Sequence, residues 1–232
     1  MTIRIFAGFD PNEAAGYHTF CHSVITRASE PVSITPIIKN EFPWWQREGE
    51  NNGATEFSFA RFLVPFLCNY QGHAIFMDGA DMLCLGDVAE LWAMRDYSKS
   101  VQCVQHKPYK VEGVKMWNQE NREYPKKNWS SLMLMNCNYH HSQMLTPENV
   151  AQMPGSWLHQ FEWTHPNRIG ALPQEWNFLV GHTEQKHPNR LLSEEAKILH
   201  FTNGLPDVHP TDGQADNLWR QEHSRMNHVT PL

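Results

Sequence analysis

Blocks of alternating and continuous hydrophobic residues predict an ordered series of strands and helices in the first half of the chain. Residues 2–7 alternate as a strand does, and residues 13–28 have the composition of a helix. Residues 32–38 return to a strand pattern. Pro36 lacks a backbone donor, which predicts that this strand lies at the edge of a sheet or ends early.

The next blocks extend this order. Residues 56–69 are apolar nearly all round, which predicts a buried helix bent at Pro65. Residues 73–77 form a short apolar block that stops at Asp78, and residues 100–105 again have a strand pattern. The order β-α-β-α-β predicts an open α/β sheet whose ligands bind outside the carboxyl ends of the strands.

Residues 39–55 contain two adjacent tryptophans but no hydrophobic period. At about 17 residues this stretch is longer than an ordinary connection, and we interpret it as a candidate active-site lid.

The remaining pattern is less regular. It predicts a further extended segment at 82–85, a short helix capped by Asp87, a hairpin arm at 111–117, a strand at 130–135, a helix with Thr146 as N-cap and Pro147 at its first position, a strand at 197–201 and one helical turn around 217–222. We expect one domain over residues 1–206 and a C-terminal tail over 207–232 that packs on it or extends from it.

Composition excludes several classes of function. The chain has 232 residues and a formal net charge of −6, which argues against a sequence-independent grip on DNA or RNA. The sequence contains no run of about 18 apolar residues, so it predicts no membrane-spanning helix. The five cysteines are scattered without a CxxC pair, and the first residues do not resemble a secretion signal. We therefore expect a cytoplasmic protein.

The segment FMDGADMLCLGD carries the most informative chemistry. Asp78 and Asp81 follow a buried strand without a basic neighbour, so their charges repel unless a positive group lies between them. Mg²⁺ or Mn²⁺ would satisfy two carboxylates, provided that the backbone turns at Gly79 and Ala80. A turn with two solvated acids fits the same spacing, and the spacing does not decide between them.

Six segments occur in an order that resembles glycosyltransferase family 8, a group of GT-A enzymes, and small bacterial and phage-type relatives in particular. They are FAGFD, EFSFARFLVP, IFMDGADMLCLGDVAELW, KNWSSLMLMN, LPQEWN and ILHFTNGLP, and they reach to about residue 206. The resemblance implies a GT-A fold, meaning a single Rossmann-like α/β domain with a mostly parallel central sheet and helices on both faces.

The resemblance also implies an activity. The expected reaction moves a sugar from a nucleoside diphosphate donor, with a UDP-sugar expected, to the hydroxyl of a glycan, lipid or small-molecule acceptor, with retention of configuration. Mn²⁺ or Mg²⁺ would be held by Asp78, Asp81 and the late histidine, His200.

Further site residues follow from the same resemblance. Arg61 corresponds to an arginine that meets the donor, and Phe9 could stack on the uracil ring. The donor-binding set is Ala7, Gly8, Phe9, Asp10, Arg61, Gly79, Ala80, Asn128, Ser130, Ser131, Trp176, Asn177 and Gly204. Candidates for the group nearest the reacting carbon are Asn167, Gln174 and Asn177.

Three departures from the family pattern suggest an alternative. The acidic motif has one extra residue, the segment 205–207 replaces a phosphate-binding lysine, and residues 164–167 replace an acidic pair. These changes fit a degenerate GT-A fold that binds nucleotide or glycan without turnover.

Other polar residues have simpler interpretations. We expect His106, His182 and His187 to lie on the surface. Lys126 and Lys127 could neutralise phosphate or be solvated, and their sequence does not separate these alternatives.

Overall fold

A computed structural model describes residues 2–38, 42, 45, 47, 57–109, 114–115, 119–120, 125–187, 189–210 and 213–228. The predicted lid at 39–55 lies outside the described residues apart from Phe42, Trp45 and Arg47. Trp45 is buried, and its indole Nε1 donates to the carbonyl of Pro147 at 3.0 Å.

The described strands form a six-stranded sheet, a three-stranded sheet and a short hairpin. In chain order they are β1 (Ile3–Gly8), β2 (Val32–Ile37), β3 (His73–Met77), β4 (Met82–Cys84), β5 (Val101–Val104), β6 (Val114–Lys115), β7 (Gln119–Glu120), β8 (Leu132–Asn136), β9 (Ile169–Leu172), β10 (Phe178–Leu179) and β11 (Ile198–His200). Strand β6 lies within the predicted arm at 111–117 and pairs with β7, which follows that segment; residues 111–113 and 116–117 are not described.

The six-stranded sheet is the frame of the molecule, with the strand order β2-β1-β3-β8-β5-β9. Strand β8 runs antiparallel to both of its neighbours, whereas the other pairs are parallel. The predicted α/β class with a mostly parallel sheet is confirmed. Strand β2 lies at the edge, as Pro36 predicts.

Both faces of the inner strands β1, β3, β8 and β5 are buried, which explains why they are apolar at most positions, whereas the edge strand β2 has exposed residues at alternate positions. In β3, Ala74 and Phe76 face one hydrophobic core, while Ile75 and Met77 face the other. The α-helices that accompany the sheets are α1 (Ala14–Ile25), α2 (Val64–Leu67), α3 (Val88–Ala93), α4 (Pro147–Gln152), α5 (Gly155–His159), α6 (Leu192–Glu195) and α7 (Gly213–Met226).

Several helix ends follow the capping chemistry in the sequence. The side chain of Asp87 accepts from the amide of Ala89 at the start of α3, and Thr146 accepts from the amide of Asn149 at the start of α4. Both predicted caps are confirmed. Short 3₁₀ helices cover Pro11–Glu13, Ala60–Leu63, Trp129–Ser131, His140–Met144, Pro166–Arg168 and Gln174–Asn177.

The prediction of one helix over residues 56–69 is wrong. Residue 56 is not described, and the described part contains a 3₁₀ helix, Ala60–Leu63, followed by the single turn of α2. Pro65 is in the first turn of α2, where its missing N–H is tolerated, so it accompanies a helix start rather than a bend.

The C-terminal segment forms more structure than the sequence indicates. Helix α7 has 14 residues instead of one turn, and it packs on α1. Glu222 is 2% exposed and pairs with His22 at 2.6 Å and Arg27 at 2.7 Å. Although burial acts to raise it, hydrogen bonds from Arg27 and His22 hold the pKa of Glu222 below its usual value. The boundary at residue 206 stays a prediction.

Within the described part of the chain, no helix combines the length and the apolar character that crossing a bilayer requires.

Candidate metal and donor site

The chain changes sheets at the acidic motif. Strand β3 belongs to the central sheet and β4 to the three-stranded sheet, whose order is β10-β11-β4. Between them, Asp78, Gly79, Ala80 and Asp81 form a turn in which the carbonyl of Gly79 accepts from the amide of Met82 at 3.0 Å. Gly79 has φ +75°, a conformation that residues with a side chain rarely adopt. The turn that two nearby carboxylates require is therefore present.

Helix α1 holds this turn from one side. A Cβ added at Gly16 would lie 2.1 Å from the carbonyl oxygen of Ala80. Only glycine leaves room for so close an approach, so Gly16 determines where the turn meets the helix.

The three-stranded sheet brings His200 to the same place. Strand β11 is antiparallel to β4, with His200 opposite Met82, and the amide of Phe201 donates to the carbonyl of Asp81 at 2.8 Å. The imidazole Nε2 of His200 lies 3.2 Å from Asp81 Oδ2 and 4.0 Å from Asp78 Oδ2. A histidine 119 positions after Asp81 thus joins the acidic pair through strand register.

Hydrogen bonds behind His200 indicate which of its nitrogens carries the proton. Asn177 is fully buried, and its Nδ2 donates to the carbonyl of Asn128 at 3.2 Å and to Ser131 Oγ at 2.8 Å. Because a carbonyl only accepts, the amide nitrogen must face Asn128, and Asn177 Oδ1 then faces His200 Nδ1 at 2.9 Å. His200 Nδ1 is therefore the donor.

This tautomer directs a lone pair at the carboxylates. A neutral His200 presents the bare Nε2 to Asp81, and two lone pairs at 3.2 Å repel unless a proton or a cation lies between them. One ligand atom from each of Asp78, Asp81 and His200 lies within 4.8 Å of the others. Two carboxylates and an imidazole suit Mn²⁺, and also Mg²⁺ with less preference for the nitrogen. The residues therefore fit a divalent cation.

Arg61 supplies a fixed positive charge beside the pair. Its Nη1 lies 2.6 Å from Asp78 Oδ1 and donates to the carbonyl of Ser130 at 3.0 Å. Arg61 is 6% exposed, and its guanidinium carbon lies within 5.5 Å of the ring centres of Phe57 and Phe76. A buried arginine needs such an acidic partner.

The residues expected to line a sugar pocket support the site from behind. Ser131 Oγ donates to the carbonyl of Asn128, which has φ +61°, and Ser130 Oγ lies 2.8 Å from His159 Nδ1. Burial and the charges of Arg61 and Arg47 lower the pKa of His159 to about 3, so its ring is neutral at neutral pH. These hydrogen bonds fix the loop that contains Ser130, whose carbonyl accepts from Arg61.

The N-terminal segment borders the turn. Ala7 is fully buried, and a Cβ at Gly8 would lie 2.4 Å from the ring of Phe57. Phe9 packs edge-on against Tyr17 at 5.0 Å, and Asp10 Oδ1 accepts from the amide of Asn12 at 2.9 Å. Whether this segment contacts a nucleoside stays a prediction.

The remaining predicted residues are divided between the two ends of the sheet. The 3₁₀ helix after β9 contains Gln174, Trp176 and Asn177 and lies at the same end of the sheet as the acidic turn. Trp176 is fully buried in the core, and Gln174 is exposed. Asn167 precedes β9 at the opposite edge, so the structure does not bring it to the site. Gly204, with φ +122°, follows β11 in the turn after His200.

Glu13 belongs to this region and was missed by sequence reasoning. Its side chain is 6% exposed, and burial, then the charges of Asp81, Asp10 and Asp78, raise its pKa to about 8. No local pattern in the sequence indicates this position, because the contact between helix α1 and the acidic turn joins segments that are far apart in the chain.

His106 corrects another expectation, because it is buried rather than on the surface. It is 8% exposed, and burial followed by the charge of His200 lowers its pKa to about 3. Its carbonyl accepts from Trp129 Nε1 at 3.0 Å. Lys127 is also buried, with its Nζ 5.9 Å from the ring centre of Tyr109, so it is not a solvated lysine.

Comparison with known proteins places this geometry in a family. The family model for glycosyl transferase family 8 matches residues 29–205. Protein CDI of Arabidopsis thaliana is 39% identical over 231 residues, which are 97% of this chain and 87% of that protein.

Solved structures share the fold at low sequence identity. The apo bifunctional glycosyltransferase WbbM superposes with a TM-score of 0.62 at 16% identity, over 96% of this chain and 50% of WbbM. The apo glycosyltransferase GlyE of Streptococcus pneumoniae TIGR4 superposes with a TM-score of 0.62 at 12% identity, over 97% of this chain and 62% of GlyE. The galactosyltransferase LgtC, bound to donor and acceptor sugar analogues, superposes with a TM-score of 0.57 at 10% identity, over 98% of both chains. This chain thus spans less than two thirds of WbbM and of GlyE.

The hydrogen bond from His200 to Asn177 is testable through cation affinity. Replacing Asn177 by Leu removes the group that orients the imidazole, and we expect Mn²⁺ to bind about 10–100-fold more weakly. Isothermal titration calorimetry measures this change. The same substitution at exposed Asn167 is the control, and equal affinity in both variants would contradict the orienting role.

The raised pKa of Glu13 predicts a pH-dependent stability of the metal-free protein. Between its usual value of 4.5 and about 8, the folded state holds a proton that the unfolded state has lost. Stability should therefore fall as pH rises through this window. Glu13→Gln should become more stable relative to wild type by roughly 2–3 kcal/mol between pH 5.5 and 8.5.

Urea unfolding in EDTA at both pH values measures this difference, with the surface variant Glu162→Gln as the control. If the free energy of unfolding changed equally with pH in Glu13→Gln and in wild type, Glu13 would ionise normally in the folded protein.

Proposed function

This chain belongs to glycosyl transferase family 8, and we propose that it transfers a sugar from a nucleoside diphosphate donor to an acceptor hydroxyl with the help of Mn²⁺ or Mg²⁺. A UDP-sugar is the donor that we expect. Family membership supports a glycosyltransferase, and the finer assignment depends on the residues of the site.

The arrangement of Asp78, Asp81 and His200 carries this proposal. Three ligand atoms converge at one edge of the sheet, and the tautomer of His200 aims an acceptor at the carboxylates. The bare Nε2 of a neutral His200 beside two carboxylates is unfavourable unless a proton or a cation lies between them, and the convergence of three ligand atoms supports a metal-dependent enzyme over a binding protein.

The extra residue in the acidic motif does not separate the two carboxylates. The turn at Gly79 and Ala80 accommodates the extra residue, so the carboxylates of Asp78 and Asp81 both lie near His200. This geometry supports metal binding despite the unusual Asp-Gly-Ala-Asp spacing.

The bound cation would stabilise the negative charge that develops on the leaving diphosphate. Arg61 adds a fixed positive charge next to Asp78. The lysine that is missing after the histidine has no substitute in that segment, where Leu205 is in the core and Asp207 pairs with Arg220. Lys127 is a buried cation next to Asn128 and is our candidate for the missing charge.

Retention of configuration is part of the proposal. We favour a front-face reaction in which the leaving phosphate takes the acceptor proton. Gln174 is the best-placed candidate to face the sugar, because it is exposed on the side of the metal ligands, whereas Asn177 is occupied by His200. A structure of LgtC also describes an active-site glutamine, replaced there by glutamate.

A cytoplasmic location is proposed on the strength of the thiols. All five cysteines are free, which suits a reducing compartment. Fractionation of cells that express the tagged protein tests this, and recovery outside the cytoplasm would overturn it.

A panel of UDP-, GDP- and CMP-sugars tests the activity. We expect Mn²⁺-dependent hydrolysis of a UDP-sugar, lost on addition of EDTA. Asp78→Asn, Asp81→Asn and His200→Ala should each reduce the rate by about 100-fold or more, because each removes a cation ligand.

Asp96→Asn is the matched control, since that carboxylate only caps an exposed turn by accepting from the amide of Ser98. Wild-type rates in all three site variants would show that the proposed metal site is wrong. Metal-independent UDP binding without hydrolysis of any donor would favour a binding protein over an enzyme.

A further inference from the structure

A second concave site lies at the other end of the central sheet. It has a volume of about 350 Å³ and lies at the amino end of β3 and the carboxyl end of β8. Its lining consists of Gly72, His73, Tyr97, Asn136, Asn138, Tyr139 and His140. Strand β3 runs from His73 here to Met77 beside the acidic turn. Five residues at about 3.3 Å each separate the two sites by roughly 16 Å.

Aromatic rings form two sides of this cavity. Tyr97 is 70% exposed, although tyrosine rings are commonly covered, and its ring lies 4.8 Å from that of His73 at 75°. Tyr139 stacks on His140, with ring centres 4.6 Å apart and planes at 30°. The cavity therefore offers exposed flat surfaces, and it falls in the usual size range of small-molecule sites, about 300–1,000 Å³.

Polar groups accompany the rings. His73 is 6% exposed, and its Nε2 has no hydrogen-bond partner within the described part of the chain. Asn138 contributes an exposed amide to the lining. A buried polar atom without a partner is unfavourable, so a ligand hydroxyl that reached His73 would relieve it.

The cavity has no charged side chain of its own. Among the residues that the structure describes, neither an acid nor a lysine or arginine lines it. Arg4 lies behind Gly72, and its guanidinium donates to the carbonyls of Gln71 and His73. Arg168 lies 6.0 Å from the ring centre of Tyr139, but it donates to the carbonyl of Ser98 and is not part of the lining. Because neither arginine belongs to the lining, the cavity favours an uncharged ligand.

We propose that this cavity binds an uncharged sugar ring, as a site separate from the metal ligands. A pyranose has an apolar C–H face that stacks on an aromatic ring and a rim of hydroxyls for amide and imidazole groups, which is the combination that this cavity presents. The choice of a sugar rests on the proposed function, since a glycosyltransferase handles glycans. The site would hold a remote part of a glycan acceptor or product.

Saturation-transfer NMR of the full chain tests this binding with lactose, maltose, cellobiose and N,N′-diacetylchitobiose. At least one of these sugars should receive saturation from the wild-type protein. Tyr97→Ala and His140→Ala should each weaken its binding at least tenfold, and both side chains are exposed, so the fold should tolerate their loss.

Leu191→Ala is the control, because it removes an exposed apolar side chain at the start of α6 that is not part of the cavity lining. Asp78→Asn should keep the sugar signal, which separates this site from the donor site even if no transferase activity is found. No signal from any of the four sugars, or a signal unchanged by Tyr97→Ala, would overturn the proposal.

Discussion

The carboxylates of Asp78 and Asp81 lie beside the Nε2 of His200, and their negative charge determines what the rest of the site must do. Arg61 compensates one carboxylate directly, but the Nε2 of a neutral imidazole cannot donate to the other. A divalent cation satisfies all three ligands at once. The neutral tautomer depends in turn on Asn177, whose amide is oriented by the carbonyl of Asn128.

The fold produces this arrangement by changing sheets. Asp78 ends a strand of the central sheet, while His200 belongs to the middle strand of the smaller sheet, and the acidic turn joins the two. Gly16 and Gly79 permit the close packing and the positive φ that the turn needs. The three candidate metal ligands are therefore held by backbone register on both sides, a rigidity that suits the proposed electrostatic stabilisation of a leaving group.

The sequence predicted those features that depend on local pattern. The apolar strand before Asp78 and the caps at Asp87 and Thr146 were visible because each is set by a few neighbouring residues. Pro65 was misread because proline fits both a bend and a helix start. The burial of Glu13 and His106 could not be predicted, since it depends on packing between segments far apart in the chain. The orienting role of Asn177 could not be predicted for the same reason, since its partner Asn128 is 49 positions away in the chain.

Crystals soaked with Mn²⁺ give the most direct measurement, by anomalous diffraction at the manganese absorption edge. The account predicts one peak at about 2.1–2.3 Å from a carboxylate oxygen of Asp78, one of Asp81 and the Nε2 of His200, with Nδ1 still bonded to Asn177. A peak elsewhere, or manganese bound to the Nδ1 of a rotated His200, would contradict the account.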